Sequence, residues 1–307
     1  MRLSALLLIA ALSAAGPALA QSPGASPSPQ VPSPLAAITT DPAPDPKNPA
    51  RLEVVHVPTA GGLKVNGVVF VPSGAGPHPT VVLFHGLPGN EKNYDLAQAL
   101  RRAGWTVLSI NYRGSWGSPG AYSFAGDLVD AKAALAFVRD PANATPYGFD
   151  AKRIVVIGHS LGGWVTAHTV AEDPGVLGGV MISAGDIGML GVLAKINRSQ
   201  AVASLADMHE TLTSSPEDMA AEAAAHASDF GFASVVPALA HRRLLVLYSN
   251  DFVKSHSEGL IRQLKAAGDS TLDTGYADTD HSWDDHRIAL QTLILGWLAK
   301  LPGAQRP

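Results

Sequence analysis

Four short runs in this sequence are apolar almost from end to end: Thr80-Val81-Val82-Leu83-Phe84, Thr106-Val107-Leu108-Ser109-Ile110, Ile154-Val155-Val156-Ile157 and Leu244-Leu245-Val246-Leu247-Tyr248. A strand with one face in water alternates apolar and polar residues, whereas a run without that alternation is buried on both faces. Between and after these runs lie helical patterns at residues 94–102, 126–139, 160–172 and 288–299. In the second of these, Leu128, Ala131, Leu135 and Val138 recur as one apolar face. Buried strands alternating with helices predict a mostly parallel sheet covered on both sides, an α/β fold. Residues 51–57 and 63–71, joined by Ala60-Gly61-Gly62, read as an opening hairpin, and residues 179–183 and 272–276 as further strands.

The alternation breaks once. About sixty residues between Ser183 and Leu244 have helix-forming composition and no convincing strand, and a structureless loop of that length is uncommon in a compact domain. Residues 186–241 are therefore expected to form a helical cap inserted over the carboxyl edge of the sheet.

The N-terminal residues have a different character. Arg2, an apolar run over residues 3–12 and Ala18-Leu19-Ala20 make a secretory signal peptide, with cleavage expected after Ala20. The apolar run is too short to span a bilayer, which takes roughly 20 residues. Residues 21–50 hold nine prolines in thirty positions and read as an extended, Pro-rich disordered spacer. Residues 51–307 are left for one folded domain in an exported, periplasmic or secreted protein. The chain has no cysteine, which excludes disulfides, thiolate nucleophiles and thiolate metal sites, and its formal charge of −4 lacks the basic footprint of a nucleic-acid binder.

Gly158-His159-Ser160-Leu161-Gly162 fits G-x-S-x-G between an apolar strand and a helix, the context in which that motif places a nucleophile. So tight a turn forces the serine into a strained backbone and lifts its hydroxyl clear of the sheet, while the helix N-terminus behind it favours developing negative charge. An oxyanion needs two backbone donors. The amide of Leu161 follows the nucleophile, and the amide of Leu87 lies in His85-Gly86-Leu87-Pro88-Gly89 after the third strand. Of eleven histidines, His281 sits between the last strand and the last helix, where the strand ends converge, with His286 as the alternative base. Asp251, just past the strand at residues 244–248, is expected to orient that imidazole, with Asp278 the competing carboxylate. Asp280 adjoins His281 and is poorly placed to reach back to Nδ1. The acidic loop at residues 278–286 lacks a paired metal-ligand spacing, so neither a metal nor a cofactor is expected.

Over residues 51–301 the chain resembles the α/β-hydrolase superfamily, in particular its dienelactone-hydrolase-like and prolyl-oligopeptidase-like branches. The resemblance rests on the loop at residues 85–89, Asn111-Tyr112-Arg113-Gly114-Ser115, Gly117-Ser118-Pro119-Gly120, the serine motif, Asp251-Phe252-Val253 and Asp280-His281-Ser282-Trp283, in the order nucleophile, acid, base. Tyr248 and Ser249 stand where such enzymes often carry a glycine-containing turn. The resemblance implies cofactor-free hydrolysis of a small-molecule acyl substrate. A carboxylic ester comes first, then a peptide or amide, then a thioester. A non-catalytic exported binding protein on the same fold is the reading from another class. Trp116, Tyr122, Trp164 and Trp283 are candidates for an acyl pocket or for core.

Overall fold

In the computed structural model, which describes residues 34–303, the apolar runs are strands of one sheet. In chain order they are β1 (Arg51–Pro58), β2 (Lys64–Val71), β3 (His78–Phe84), β4 (Thr106–Ile110), β5 (Phe149–His159), β6 (Gly178–Ile182), β7 (Leu244–Ser249) and β8 (Leu272–Ala277). The spatial order is β1-β2-β4-β3-β5-β6-β7-β8. β2 runs antiparallel to β1 and β4, and every other neighbouring pair is parallel. All residues of β3, β4 and β6 are buried, as the unbroken apolar runs require.

Successive side chains of a strand point to opposite faces, and two cores result. Val81 and Leu83 pack with Leu96, Leu100, Ile294 and Trp297 on one face. Val82 and Phe84 pack with Phe124, Leu135, Trp164 and Val165 on the other. The helices supplying them are α1 (Pro34–Thr39), α2 (Tyr94–Arg102), α3 (Phe124–Arg139), α4 (Pro141–Tyr147), α5 (Leu161–Glu172), α10 (Lys254–Ala266) and α11 (Arg287–Leu298). Between β6 and β7 stand α6 (Ile187–Ile196), α7 (Arg198–Ala206), α8 (Pro216–Ala225) and α9 (Phe232–Leu239), the expected helical cap. Ala201, Leu205, Met219, Ala223 and Phe230 join the cap to the core shared by α3 and α5. No helix among the described residues is long and apolar enough to cross a membrane.

The expectation of an extended spacer over residues 21–50 needs correction in its second half. Pro34–Thr39 is a helical turn and a half, Ala37 is buried, and the Arg102 guanidinium donates to the carbonyls of Ala37 (2.6 Å) and Ile38 (3.4 Å). Leu35-Ala36-Ala37-Ile38 is an apolar island among the prolines, and Arg102 satisfies carbonyls that a helix end leaves open. The signal-peptide expectation and the first part of the spacer lie outside the described residues. α4 is a second unexpected helix. Asp140 caps it by accepting from the Ala142 amide (2.9 Å), and its prolines at 141 and 146 hide it from a helix pattern.

Candidate active site

β5 ends at His159 and α5 begins at Leu161, so one residue makes the whole turn. Ser160 has φ 57° and ψ −118°, a conformation that costs a non-glycine residue about 1–3 kcal/mol. Backbone bonds enforce it. The Ser160 amide donates to the Ile182 carbonyl (2.9 Å), and the Ser160 carbonyl accepts from the amides of Gly163 (3.0 Å), Trp164 (3.3 Å) and Gly185 (3.2 Å). The flanking glycines are steric requirements: a Cβ on Gly158 would lie 1.9 Å from the Gly162 oxygen, and one on Gly162 would lie 2.2 Å from the Phe84 oxygen.

The loop after β3 presses on this turn from the side. A Cβ on Gly86 would stand 3.0 Å from that of Ser160, which brings the backbone leading to Leu87 against the elbow. Leu161 occupies the first position of α5, where an amide has no acceptor within its own helix. The loop is held from three directions. His85 is buried and donates from Nδ1 to the Gly86 carbonyl (2.7 Å), and Trp116 Nε1 (2.6 Å) and Thr211 Oγ1 (3.3 Å) both donate to the Pro88 carbonyl. Burial and then the charge of Lys92 push the His85 imidazole down to about 3, so it is a neutral structural donor.

His281 lies between β8 and α11, as expected, and its Nδ1 donates to Asp251 Oδ2 at 2.7 Å. Asp251 follows β7, with its side chain 2% exposed. Burial pushes its carboxyl up, but the hydrogen bond and charge of His281 and the hydroxyls of Ser249 and Ser183 more than offset this, so it ionises below the usual aspartate value. Of the competing carboxylates, Asp278 and Asp280 are exposed, and Asp280 Oδ1 accepts the Asp284 amide (3.0 Å) within its own turn. His286 pairs with exposed Asp285 (2.8 Å), and His256 Nδ1 accepts the Asp186 amide (3.0 Å) at the entrance to the cap. No group of three His, Asp or Glu among the described residues is gathered as a metal would need.

Three residues at this site escape a reading of the sequence. His159 donates from Nε2 to the His281 carbonyl (2.8 Å), and the two rings lie 4.7 Å apart, which ties His281 to the residue before Ser160. Burial and the charge of His281 push His159 down to about 3, so it stays a neutral donor. Its position in G-x-S-x-G was the available signal. Ser183 and Ser249, far apart in sequence, join Asp251 and Trp283 in a buried chain of hydrogen bonds. Of the aromatic candidates, Trp164, Trp283 and Tyr122 are buried in the core, and Trp116 is half-buried beneath the Lys92 ammonium (4.3 Å). Phe252, 69% exposed, places its ring 4.6 Å from that of His281 and leaves an apolar rim beside it.

Residues 81–297 match the model of the alpha/beta hydrolase family. A 127-residue stretch, 41% of the chain, is 33% identical to an uncharacterized protein of Mycobacterium tuberculosis, and spans 43% of that protein, less than half its length. Among solved structures, an esterase of Pyrococcus furiosus superposes with TM-score 0.61 at 18% identity, covering 83% of this chain and 92% of that one. An acylaminoacyl peptidase of Pyrococcus horikoshii gives 0.63 at 16% identity, covering 84% and 43%. At such identities the structural likeness establishes the fold, with its mostly parallel sheet and inserted helices.

Proposed function

This chain belongs to the alpha/beta hydrolase family, and from that premise we propose that it is a serine hydrolase cleaving carboxylic esters, with Ser160 as nucleophile, His281 as base and Asp251 as acid. One observation carries the reading: a buried carboxylate bonds the imidazole of His281, and the backbone carbonyl of His281 is tied through His159 to the strained turn at Ser160. His281 takes the proton of Ser160 as Oγ attacks the ester carbonyl, and the amides of Leu161 and Leu87 receive the oxyanion. The imidazolium then protonates the departing alcohol. Water, deprotonated by the same ring, attacks the acyl-enzyme and releases the carboxylic acid. Asp251 keeps Nδ1 protonated, so that Nε2 is the basic nitrogen, and stabilises the ring's transient charge. The cap would then select among acyl groups, with Phe252 forming an apolar rim beside His281.

A fluorophosphonate is expected to label the protein at Ser160, with labelling abolished in Ser160→Ala and His281→Ala and kept in His286→Ala. A panel of chromogenic esters of graded acyl length, run beside aminoacyl amides, separates esterase from amidase, the second class the peptidase neighbour brings into view. Full ester turnover in Ser160→Ala would overturn the mechanism. Export belongs to the same reading, resting on Arg2, the apolar run and Ala18-Leu19-Ala20. The mature protein should begin at Gln21, and an N-terminus at Met1 in the exported fraction would refute this.

A further inference from the structure

The buried chain behind Asp251 has a direction. An ionised carboxylate only accepts, so the 2.9 Å contact between Ser249 Oγ and Asp251 Oδ2 carries the Ser249 proton toward the acid. With that proton committed, Ser249 can only accept in its 2.9 Å contact with Ser183 Oγ, and Ser183 must be the donor there. The Ser183 oxygen in turn receives Trp283 Nε1 (3.1 Å), and an indole nitrogen only donates. Three hydrogen bonds therefore run one way, from indole to hydroxyl to hydroxyl to carboxylate, and Trp283, Ser183 and Ser249 are all fully buried.

The parts come from three places that meet behind the base. Ser183 follows β6, Ser249 ends β7, and Trp283 lies two residues after His281 in the same loop. Ser183 (φ 44°) and Trp283 (φ 61°) both adopt the left-handed region that favours glycine, so the fold accepts strain at both residues that aim the head of the chain. The Asp251 carboxylate is then fully specified. Oδ1 receives the Val253 amide (3.0 Å), while Oδ2 receives both Ser249 and His281. Donors on both oxygens fix the carboxylate's rotation, and each bond in a low-dielectric chain polarises the next.

We propose that Trp283, Ser183 and Ser249 form a one-way hydrogen-bond relay that positions Asp251 and holds it as the anionic partner of His281. They are positioning residues, acting on Ser160 only through Asp251, and the inference rests on the triad reading above. It also gives Ser249 a task at the point where related enzymes often turn on a glycine. A pair of hydroxyls needed only for packing would serve equally well with any acid at position 251.

The test is a double-mutant cycle on purified protein with a chromogenic ester, with melting temperature measured for every variant. Ser249→Ala is expected to lower kcat roughly tenfold to a hundredfold, the worth of a hydrogen bond to a charged group, with KM within about twofold. Ser183→Ala, which removes the donor to Ser249 and a weaker direct contribution to the acid, should cost no more than Ser249→Ala. In an Asp251→Asn background both losses should shrink to within about twofold, because the residue they act through is gone. Equal losses in the two backgrounds, or no loss with Asp251 intact, would overturn the relay. If Ser249→Ala does not fold, the same comparison with Ser183→Ala decides. An Asp251→Asn variant that keeps full turnover would instead refute the triad reading, a different outcome from failure of the relay alone.

Discussion

The turn that carries Ser160 and the cap above it are both tightly packed, but they are joined to the rest of the molecule by different means. At the turn, backbone meets backbone: Gly158, Gly162 and Gly163 leave no room for a side chain against Gly162, Phe84 and Ala184. Inside the cap the same device recurs, since a Cβ on Gly191 would lie 2.1 Å from the Ala223 oxygen and one on Gly188 would lie 2.4 Å from the Gly231 Cα. At the seam between cap and body, side chains do much of the joining. Glu222 of α8 accepts the amides of Phe124 and Ala125 (2.9 Å each), which open α3. Thr213 accepts the Tyr122 amide (2.9 Å), Ser214 donates to the Tyr122 carbonyl (2.6 Å), and Trp164 donates to the Phe230 carbonyl (2.6 Å). A backbone-on-backbone junction against the sheet can give way only by breaking a strand ladder, one between two helices can open by their separation, and a side-chain seam can be altered one bond at a time.

The sharpest way to break this contrast is to put the same methyl group in both regions. Gly162→Ala pushes a carbon into the Phe84 carbonyl, and neither β3 nor β5 can move without breaking the sheet. A loss of more than about 4 kcal/mol is expected, with little soluble folded protein. Gly191→Ala forces α6 away from α8 but leaves the turn untouched. Its folded fraction should still react with a fluorophosphonate at a rate within about tenfold of the parent, while discrimination between acyl lengths weakens. Loss of labelling in Gly191→Ala would show that the cap and the turn are one unit.

A smaller effect is expected at the seam. Glu222 places a carboxylate at the start of α3, where it satisfies two amides that the helix leaves open and meets the positive end of the helix dipole. Glu222→Ala should lower stability by about 1–2 kcal/mol, the usual range for a lost cap, measured by chemical denaturation. Turnover of a short-chain ester should hardly change. A fall in kcat with unchanged stability would mean that the seam governs chemistry as well as access.

Legibility in the sequence follows the same division. The turn could be read because its constraints are local and steric: glycines at fixed offsets around a serine, between a strand-like and a helix-like run. The cap was visible as a long insert without strands, and the structure resolves it into four helices. The sequence favours Asp251 over Asp278 by its place after the strand at residues 244–248, but both follow a strand, and only the folded loops set one against His281 and the other in solvent. Trp283 and Ser249 can be singled out in the sequence, as a pocket-or-core candidate and as a turn residue, but their joining through Ser183 cannot. Their contacts span 66 and 100 residues, and no local pattern marks a serine whose partner lies that far away. Pro34–Thr39 was missed for the opposite reason, since nine surrounding prolines outweighed four apolar residues whose value depends on a surface formed elsewhere.

The mildest substitution isolates what glycine does at the turn from what glycine costs in general. Gly296 lies in the last turns of α11 with ordinary helical backbone, and a Cβ built there meets nothing within 4 Å. Alanine at that position has no clash to resolve and adopts the native dihedrals without strain. It also narrows the unfolded ensemble, because glycine loses more backbone freedom on folding than any other residue. Gly296→Ala should therefore stabilise the protein by about 0.5–1 kcal/mol, raising the melting temperature by roughly 1–4 °C for a domain of this size. The identical change has opposite signs at Gly162 and Gly296, and only the neighbours differ. If Gly296→Ala were destabilising, some contact around α11 would be tighter than its open surroundings indicate, and Cβ clearance would lose its force as the explanation for the turn. If it stabilises while Gly162→Ala fails to fold, the difference between the two positions measures how much of the Ser160 conformation is held by backbone contact alone.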